Sequence, residues 1–189
     1  MFQSERFEGQ LELRTTALIC PGFHASELTD SFVRGVTIAP DRCLVFPIEY
    51  YPPYLSQNIL NFLNNSVLTT TPLVFFAFSA GVVGAIAAAR EWQARSGRVR
   101  ALIALDGWGV PLWGNFPIHR LSHDRFTHWS SRCLGGGEES FYADPGVEHL
   151  ALWRSPGTAC GWREWGMGLR SRCSAAEFID ELWQRYSNG

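Results

Sequence analysis

Lysine is absent from this sequence of 189 residues, and all its sixteen basic residues are arginine. Its absence excludes a lysine Schiff base, a lysine general base and the lysine of a phosphate-binding P-loop. The formal net charge of −2 leaves no basic stripe for a nucleic acid, so none is expected as a partner. No uninterrupted apolar run reaches the roughly 18 residues of a membrane-spanning helix, and no membrane span is expected.

Cysteine is scarce, and its spacing is irregular. The odd number of cysteines and the lack of any C-x-x-C pair argue against a disulfide framework and against a zinc site. The first ten residues are polar and lack the apolar centre of a secretory signal. We therefore expect free thiols in a reducing compartment, and a cytoplasmic protein. The cysteines are Cys20, Cys43, Cys133, Cys160 and Cys173.

Short apolar runs alternate with segments of helical periodicity. This alternation predicts a parallel sheet with helices on both faces, in one domain over residues 1–189. The glycine-rich segment Ser155–Arg172 carries two tryptophans and is expected to be an irregular excursion. Strands are predicted within Leu11–Cys20, Arg42–Ile48, Pro72–Phe78, Val99–Leu105, Phe116–Leu121 and Ser140–Ala143. Helices are predicted at Leu55–Val67, Ala80–Arg95 and Ala175–Tyr186.

The strongest local pattern is PLVFFAFSAGVVGAIAAA, in which a buried strand runs into Ser79 and then into a helix of small residues. Small residues at positions 77 and 81 allow strand and helix to pass closely around a strained turn. Serine is also a favoured N-cap, so the pentapeptide alone fits an ordinary strand–helix unit equally well. The stretch resembles the nucleophile elbow G-x-S-x-G of the α/β-hydrolase superfamily, with Ala77 in place of the first glycine.

This resemblance implies an α/β-hydrolase fold, a three-layer α/β/α sandwich with a mostly parallel sheet. It also implies hydrolysis through an acyl-enzyme on Ser79, with no cofactor. The stretch LICPGFH at positions 18–24 resembles the loop that supplies an oxyanion donor, with Pro21 where histidine is common. The implied donors are the backbone amides of Phe23 and Ala80. The alternative for this loop is a plain Pro-Gly turn.

Two aspartates are candidates for the acid of a catalytic triad. Asp106 ends a buried strand, at the edge of a parallel sheet where ligands and catalytic groups collect. The stretch from Ser79 to Asp106 resembles the thioesterase domains of polyketide and peptide synthases, in which an aspartate at this place is the acid. Asp124 follows the next strand, where most of the superfamily has its acid. We prefer Asp124 and keep Asp106 as the alternative.

His149 is the expected base. It follows the short strand Ser140–Ala143 in a Gly-x-x-His sequence that resembles the base loop of the superfamily, and the order Ser, Asp, His is the expected one. His123 and His128 flank Asp124 and have the side-chain types of metal ligands. Their spacing places them on no common helical face, so we expect no metal there. His128 is a less favoured alternative base.

The expected function is that of a serine hydrolase acting on a small-molecule carboxylic ester or thioester. The serine would be activated by an imidazole, and the imidazole oriented by a carboxylate. The interval from Asp106 to Phe116 has room only for a short loop, so no lid is expected and the site should be open and shallow. The alternative is a catalytically inactive hydrolase-like binding module. Ala77 and Pro21, which depart from the hydrolase patterns, support this alternative.

Overall fold

In the computed structural model, which describes residues 14–137 and 139–188, eight strands form one sheet in the order β2-β1-β3-β4-β5-β6-β7-β8. Strands β1 to β6 are parallel, and β7 and β8 continue the sheet in antiparallel orientation. The strands are β1 Thr16–Cys20, β2 Cys43–Val45, β3 Leu73–Phe78, β4 Val99–Leu105, β5 Ile118–Ser122, β6 Ser140–Ala143, β7 Cys160–Trp165 and β8 Leu169–Ser174. The helices are α1 Ser26–Arg34, α2 Ser56–Ser66, α3 Ala80–Ala94, α4 Arg125–Ser131, α5 His149–Arg154 and α6 Ala175–Ser187.

The central strands are apolar on both faces because helices cover both. In β3, Phe75 and Ala77 face a core that includes α2 and α3, whereas Phe76 and Phe78 face a core that includes α1, α5 and α6. Every residue of β3 is fully buried, as a continuous apolar run predicts for such a strand. The predicted three-layer α/β/α architecture with a mostly parallel sheet is confirmed.

The prediction of an irregular excursion at Ser155–Arg172 is wrong, because most of this segment forms the β7–β8 hairpin. Its glycines resemble loop glycines in sequence, but Gly161 lies within β7, where a Cβ atom would lie 2.0 Å from the Tyr142 carbonyl oxygen of β6. Trp162 is similarly part of the hairpin, with the guanidinium groups of Arg170 and Arg172 over its ring at 4.5 and 4.9 Å. Close strand packing and cross-strand stacking thus explain a composition that suggested a loop.

Three helices were not among the predicted elements, namely α1, α4 and α5. They have nine, seven and six residues, too few turns for a clear periodic pattern. The predicted polar segment Met1–Gln10 and the start of the predicted strand at residues 11–13 lie outside the described residues. Within 14–137 and 139–188, no helix is both long and apolar enough to cross a membrane.

Candidate active site

Ser79 occupies the turn between β3 and α3 in a strained backbone conformation, with φ 52° and ψ −122°. Its amide donates to the Leu105 carbonyl oxygen at 3.0 Å, which ties the turn to β4. A Cβ atom on Gly81 would lie 2.3 Å from the Cys20 carbonyl oxygen, so only glycine fits beside the end of β1. The turn therefore holds a partly exposed serine at the carboxyl edge of the sheet, as the sequence pattern indicated.

His149 bridges Ser79 and a carboxylate. Its Nε2 atom lies 3.1 Å from Ser79 Oγ, and its Nδ1 atom lies 2.9 Å from Asp106 Oδ2. A carboxylate at Nδ1 leaves the proton on that nitrogen, so Nε2 is free to accept the serine proton. The histidine is the first residue of α5 rather than part of a loop. Its side chain is 42% exposed, so the serine–histidine pair is open to a substrate.

An aromatic stack supports the His149 ring. The imidazole stacks on Phe78, with centroids 4.7 Å apart, and Phe78 stacks in turn on Trp153 at 5.1 Å. Trp153 lies four residues after His149, one turn along α5 and on the same face. Phe32 of α1 completes the stack, with its ring 3.7 Å from that of Trp153. Stacked aromatic side chains on one face of the His149 ring thereby fix its plane.

Asp106 is the buried member of the group, with a side chain only 1% exposed. It follows β4 with a φ of 52°, and its amide donates to the Leu121 carbonyl oxygen at 2.8 Å. Its Oδ1 accepts the His123 amide at 2.8 Å, and its Oδ2 accepts Nδ1 of both His123 and His149 at 2.9 Å. Burial alone raises the pKa of the Asp106 carboxyl, but these hydrogen bonds outweigh burial and lower it.

Asp124 lies apart from His149. Its carboxylate caps α4 by accepting the Thr127 amide at 2.6 Å, and its Oδ2 atom lies 3.5 Å from His123 Nε2. It is half-exposed, at 36%. The preference for Asp124 over Asp106 is therefore reversed, because the Asp106 carboxylate is the one that contacts His149. A serine or aspartate just before a helix is drawn to the helix amides, and this competing role decides where the Asp124 side chain lies.

The same architecture is found in a thioesterase of known structure. The chain is similar to YbtT, a type II thioesterase from the yersiniabactin NRPS/PKS biosynthetic pathway, with a TM-score of 0.58 and 13% sequence identity over 94% of each chain. The fold is that of the α/β-hydrolases. No family model and no curated protein sequence matches the chain. At 13% identity, the similarity concerns the fold.

In this α/β-hydrolase fold, the loop after β1 lies directly against the serine. A Cβ atom on Gly22 would lie 2.9 Å from Ser79 Cβ, so the loop needs glycine there to approach the turn. Phe23 follows Gly22, and Ala80 begins α3 directly after Ser79. Within residues 14–137 and 139–188, the amides of Phe23 and Ala80 make no hydrogen bond to the protein. Phe23 follows the glycine that lies against Ser79, and Ala80 follows Ser79 itself. Both amides are therefore close to the serine.

A buried arginine holds the loop that follows Asp106. Arg120 of β5 is only 2% exposed, and its guanidinium donates to the carbonyl oxygens of Gly107, Val110 and Gly135 at 3.0 to 3.1 Å. Burial lowers its pKa to about 10, which leaves the group charged at neutral pH. The sequence marked Arg120 only as part of a weak strand. A buried strand position occupied by arginine was the signal that could have singled it out.

The other histidines have separate environments. His119 is buried and bonds to Glu139 O and the Tyr186 hydroxyl at 3.2 and 2.8 Å, and burial lowers its pKa to about 4. His128 is buried 3.4 Å from Ser140 Oγ, and no hydrogen bond joins it to Ser79 in the described part of the chain. His123 is the residue that sequence reasoning placed only beside Asp124, although the structure brings it to Asp106.

Asp106, His123 and His149 have ligand atoms within 4.8 Å of one another, a set of side-chain types that metal ions also bind. In this structure those atoms contact each other, since both Nδ1 atoms lie at 2.9 Å from one carboxylate oxygen. A metal would have to replace both of these hydrogen bonds, and Nε2 of His149 is turned to the serine. In this structure the three side chains form a hydrogen-bonded group.

Exposed aromatic side chains surround the carboxyl edge of the sheet. Phe23 and Trp108 are each 65% exposed, and Phe23 lies 5.9 Å from the ring of Tyr54. Trp108 is held in place by a hydrogen bond from its Nε1 atom to Ser130 Oγ at 3.0 Å. The connection from β4 to β5, residues 106–117, forms neither helix nor strand, as expected from its length. The β7–β8 hairpin is separated from β4 by two strands.

Proposed function

We propose that this chain is a serine hydrolase that cleaves a carboxylic ester or a thioester through an acyl-enzyme on Ser79. The observation that carries the proposal is the position of His149, which lies 3.1 Å from the serine hydroxyl and 2.9 Å from a buried carboxylate. These are hydrogen-bond distances between a nucleophile, a base and the group that orients the base. The serine and the imidazole are open to solvent, whereas the carboxylate is not.

In the acylation step, Ser79 Oγ attacks the carbonyl carbon, and its proton passes to His149 Nε2. The carbonyl oxygen takes up the negative charge in the tetrahedral intermediate. Collapse of the intermediate expels the alcohol or thiol, which receives the proton from His149. Asp106 holds the imidazole in the tautomer that accepts from serine and stabilises the imidazolium that forms.

In the deacylation step, water repeats the sequence. His149 removes a proton from water, whose oxygen attacks the acyl carbon, and then returns the proton to Ser79 Oγ as the carboxylic acid leaves. The amides of Phe23 and Ala80 are the proposed donors to the oxyanion in both steps. Their support is the closeness of the Gly22 loop to Ser79 and the lack of another hydrogen-bond partner within residues 14–137 and 139–188.

The substrate that the site favours is a small acyl group or one presented at a surface. The short loop at residues 106–117 and the exposure of His149 leave the serine in an open setting. A cavity of about 360 Å³ adjoins the loop after β1 and is lined by Phe23, His24, Ile48 and Glu49, among others. A thioester is among the proposed substrates because YbtT, which has a similar fold, is a thioesterase.

A fluorophosphonate probe tests the proposal, because it labels only a serine that is activated as a nucleophile. We expect labelling of the wild-type protein, and none after Ser79→Ala. The matched control is Ser96→Ala, since Ser96 is an exposed serine that also has a positive φ, at the opposite end of α3. Labelling of the Ser96→Ala variant should equal that of the wild type. A folded wild-type protein that takes no label would favour the inactive binding module.

A further inference from the structure

We propose that His123 is a positioning residue for this reaction, which holds the Asp106 carboxylate in place and competes with His149 for it. The proposal rests on the proposed function, since it concerns the acid of that same site. In the sequence, His123 stands out only for its position beside Asp124. In the structure it joins the candidate catalytic group through hydrogen bonds to Asp106.

The geometry of the carboxylate carries the proposal. Oδ1 of Asp106 accepts the His123 amide at 2.8 Å, so one oxygen is fixed by the backbone. Oδ2 accepts Nδ1 of His123 and Nδ1 of His149, each at 2.9 Å. Two imidazoles therefore share one oxygen atom, and their ring centroids lie 6.0 Å apart at an interplanar angle of 81°. The orientation of Asp106 toward His149 is set by His123 at both oxygens.

The charges around His123 favour its protonated form. Asp106 lies at Nδ1, Asp124 lies 3.5 Å from Nε2, and Glu148 adds a third negative charge from the residue before α5. The hydrogen bond to Asp106 is the largest of the effects that raise the pKa of His123. His149 faces His123 across the shared Oδ2 atom of Asp106. An imidazolium at His123 and one at His149 would then both depend on Asp106.

This sharing has a consequence for the reaction. A charged His123 offsets part of the negative charge of Asp106, and it also repels a second imidazolium close by. Asp106 therefore stabilises the imidazolium that forms on His149 during the reaction less than it would without a charged neighbour. In return, the hydrogen bonds from His123 hold the carboxylate where His149 can use it.

Two substitutions separate position from charge. His123→Asn keeps an N–H donor near the place of Nδ1 but carries no charge, whereas His123→Ala removes both. We expect His123→Ala to lose about 10-fold in kcat with little change in KM, because Asp106 is then held less firmly. We expect His123→Asn to keep the wild-type kcat, because its side-chain N–H still holds the carboxylate.

The measurement is kcat and KM for ester hydrolysis at pH 8, with fluorophosphonate labelling of each variant as a check on the site. A residue that only supports the fold would lower stability without changing the kcat of the folded protein. An unchanged kcat in His123→Ala, or a loss in His123→Asn as large as that in His123→Ala, therefore overturns the proposal. Loss of wild-type activity on adding a chelator would also overturn it, because these nitrogens would then bind a metal. Absence of labelling in the wild type would instead refute the proposed function itself.

Discussion

The loops that follow β4 and β5 look alike in sequence and differ in the structure. Each places an aspartate after a buried strand of the same parallel sheet, and each was a candidate for the triad acid. Asp106, after β4, is buried and accepts three N–H groups. Asp124, after β5, is half-exposed and accepts the Thr127 amide at the start of α4.

The difference comes from the segment that each aspartate leads into along the chain. Residues 107–117 continue as a loop with no helix, so no row of free amides competes for the Asp106 side chain. After Asp124 a helix begins at once, and its free amides draw the carboxylate into a cap. An aspartate at the edge of a parallel sheet is thus available for catalysis only where the chain beyond it does not use the carboxylate.

The largest expected effect separates the two aspartates by activity. Asp106→Asn should lower kcat/KM by about 10³- to 10⁴-fold, because an amide cannot hold His149 in the tautomer that accepts from serine. Asp124→Asn should lower kcat/KM by less than about threefold. Asparagine also caps a helix, and the side chain at position 124 does not contact His149. Hydrolysis of p-nitrophenyl butyrate by both variants measures the contrast. A greater loss in Asp124→Asn would restore Asp124 as the acid.

A second prediction compares two histidines of the chain at β5. His119 is buried, with its pKa lowered to about 4 from 6.5, so it stays neutral in the folded protein while the unfolded chain takes up a proton. The contribution of neutral His119 to the stability of the folded protein is complete above pH 6.5 and is lost as the pH falls toward 4. The effect of His123 on stability has the opposite pH dependence. Its pKa is raised, so its contribution to the stability of the folded protein is lost as the pH rises through that pKa.

The test of this contrast is urea unfolding between pH 4.5 and 8. Because of His119, the free energy of unfolding should fall by up to about 1.4 kcal/mol for each pH unit below pH 6.5. His119→Gln keeps a donor and an acceptor for Glu139 and Tyr186 but does not titrate, so the fall in stability toward acid should be smaller in this variant. The same pH dependence in variant and wild type would show that His119 is not the source.

The smallest expected effect concerns the cap of α4. Asp124→Ala removes the acceptor for the Thr127 amide and should cost about 1 kcal/mol of unfolding free energy. Asp124→Ser, which keeps a capping oxygen, should recover most of it. Thermal unfolding of both variants at pH 7 gives the comparison. Equal stability of the two would mean that Asp124 does not serve as the cap, and its role in the β5 loop would have to be sought elsewhere.

Most of the sheet and the turn around Ser79 could be predicted from the sequence, because both depend on local patterns. A continuous apolar run followed by small residues and a serine leaves few arrangements other than a buried strand, a tight turn and a helix. The β7–β8 hairpin could not be predicted in this way. Its glycines and tryptophans have roles only against β6 and across the hairpin, in contacts that no local pattern records.

The sequence by itself determined the place of Ser79 and the edge of the sheet at which its partners would be found, because strand ends of a parallel sheet meet at one edge. It also supplied both aspartates and His149 in the proper order. Only the tertiary structure decided which carboxylate contacts His149, and it brought in His123 and the stack of Phe78 on Trp153. Those choices depend on contacts between residues 17 or more positions apart and on competition for each side chain by its own neighbours.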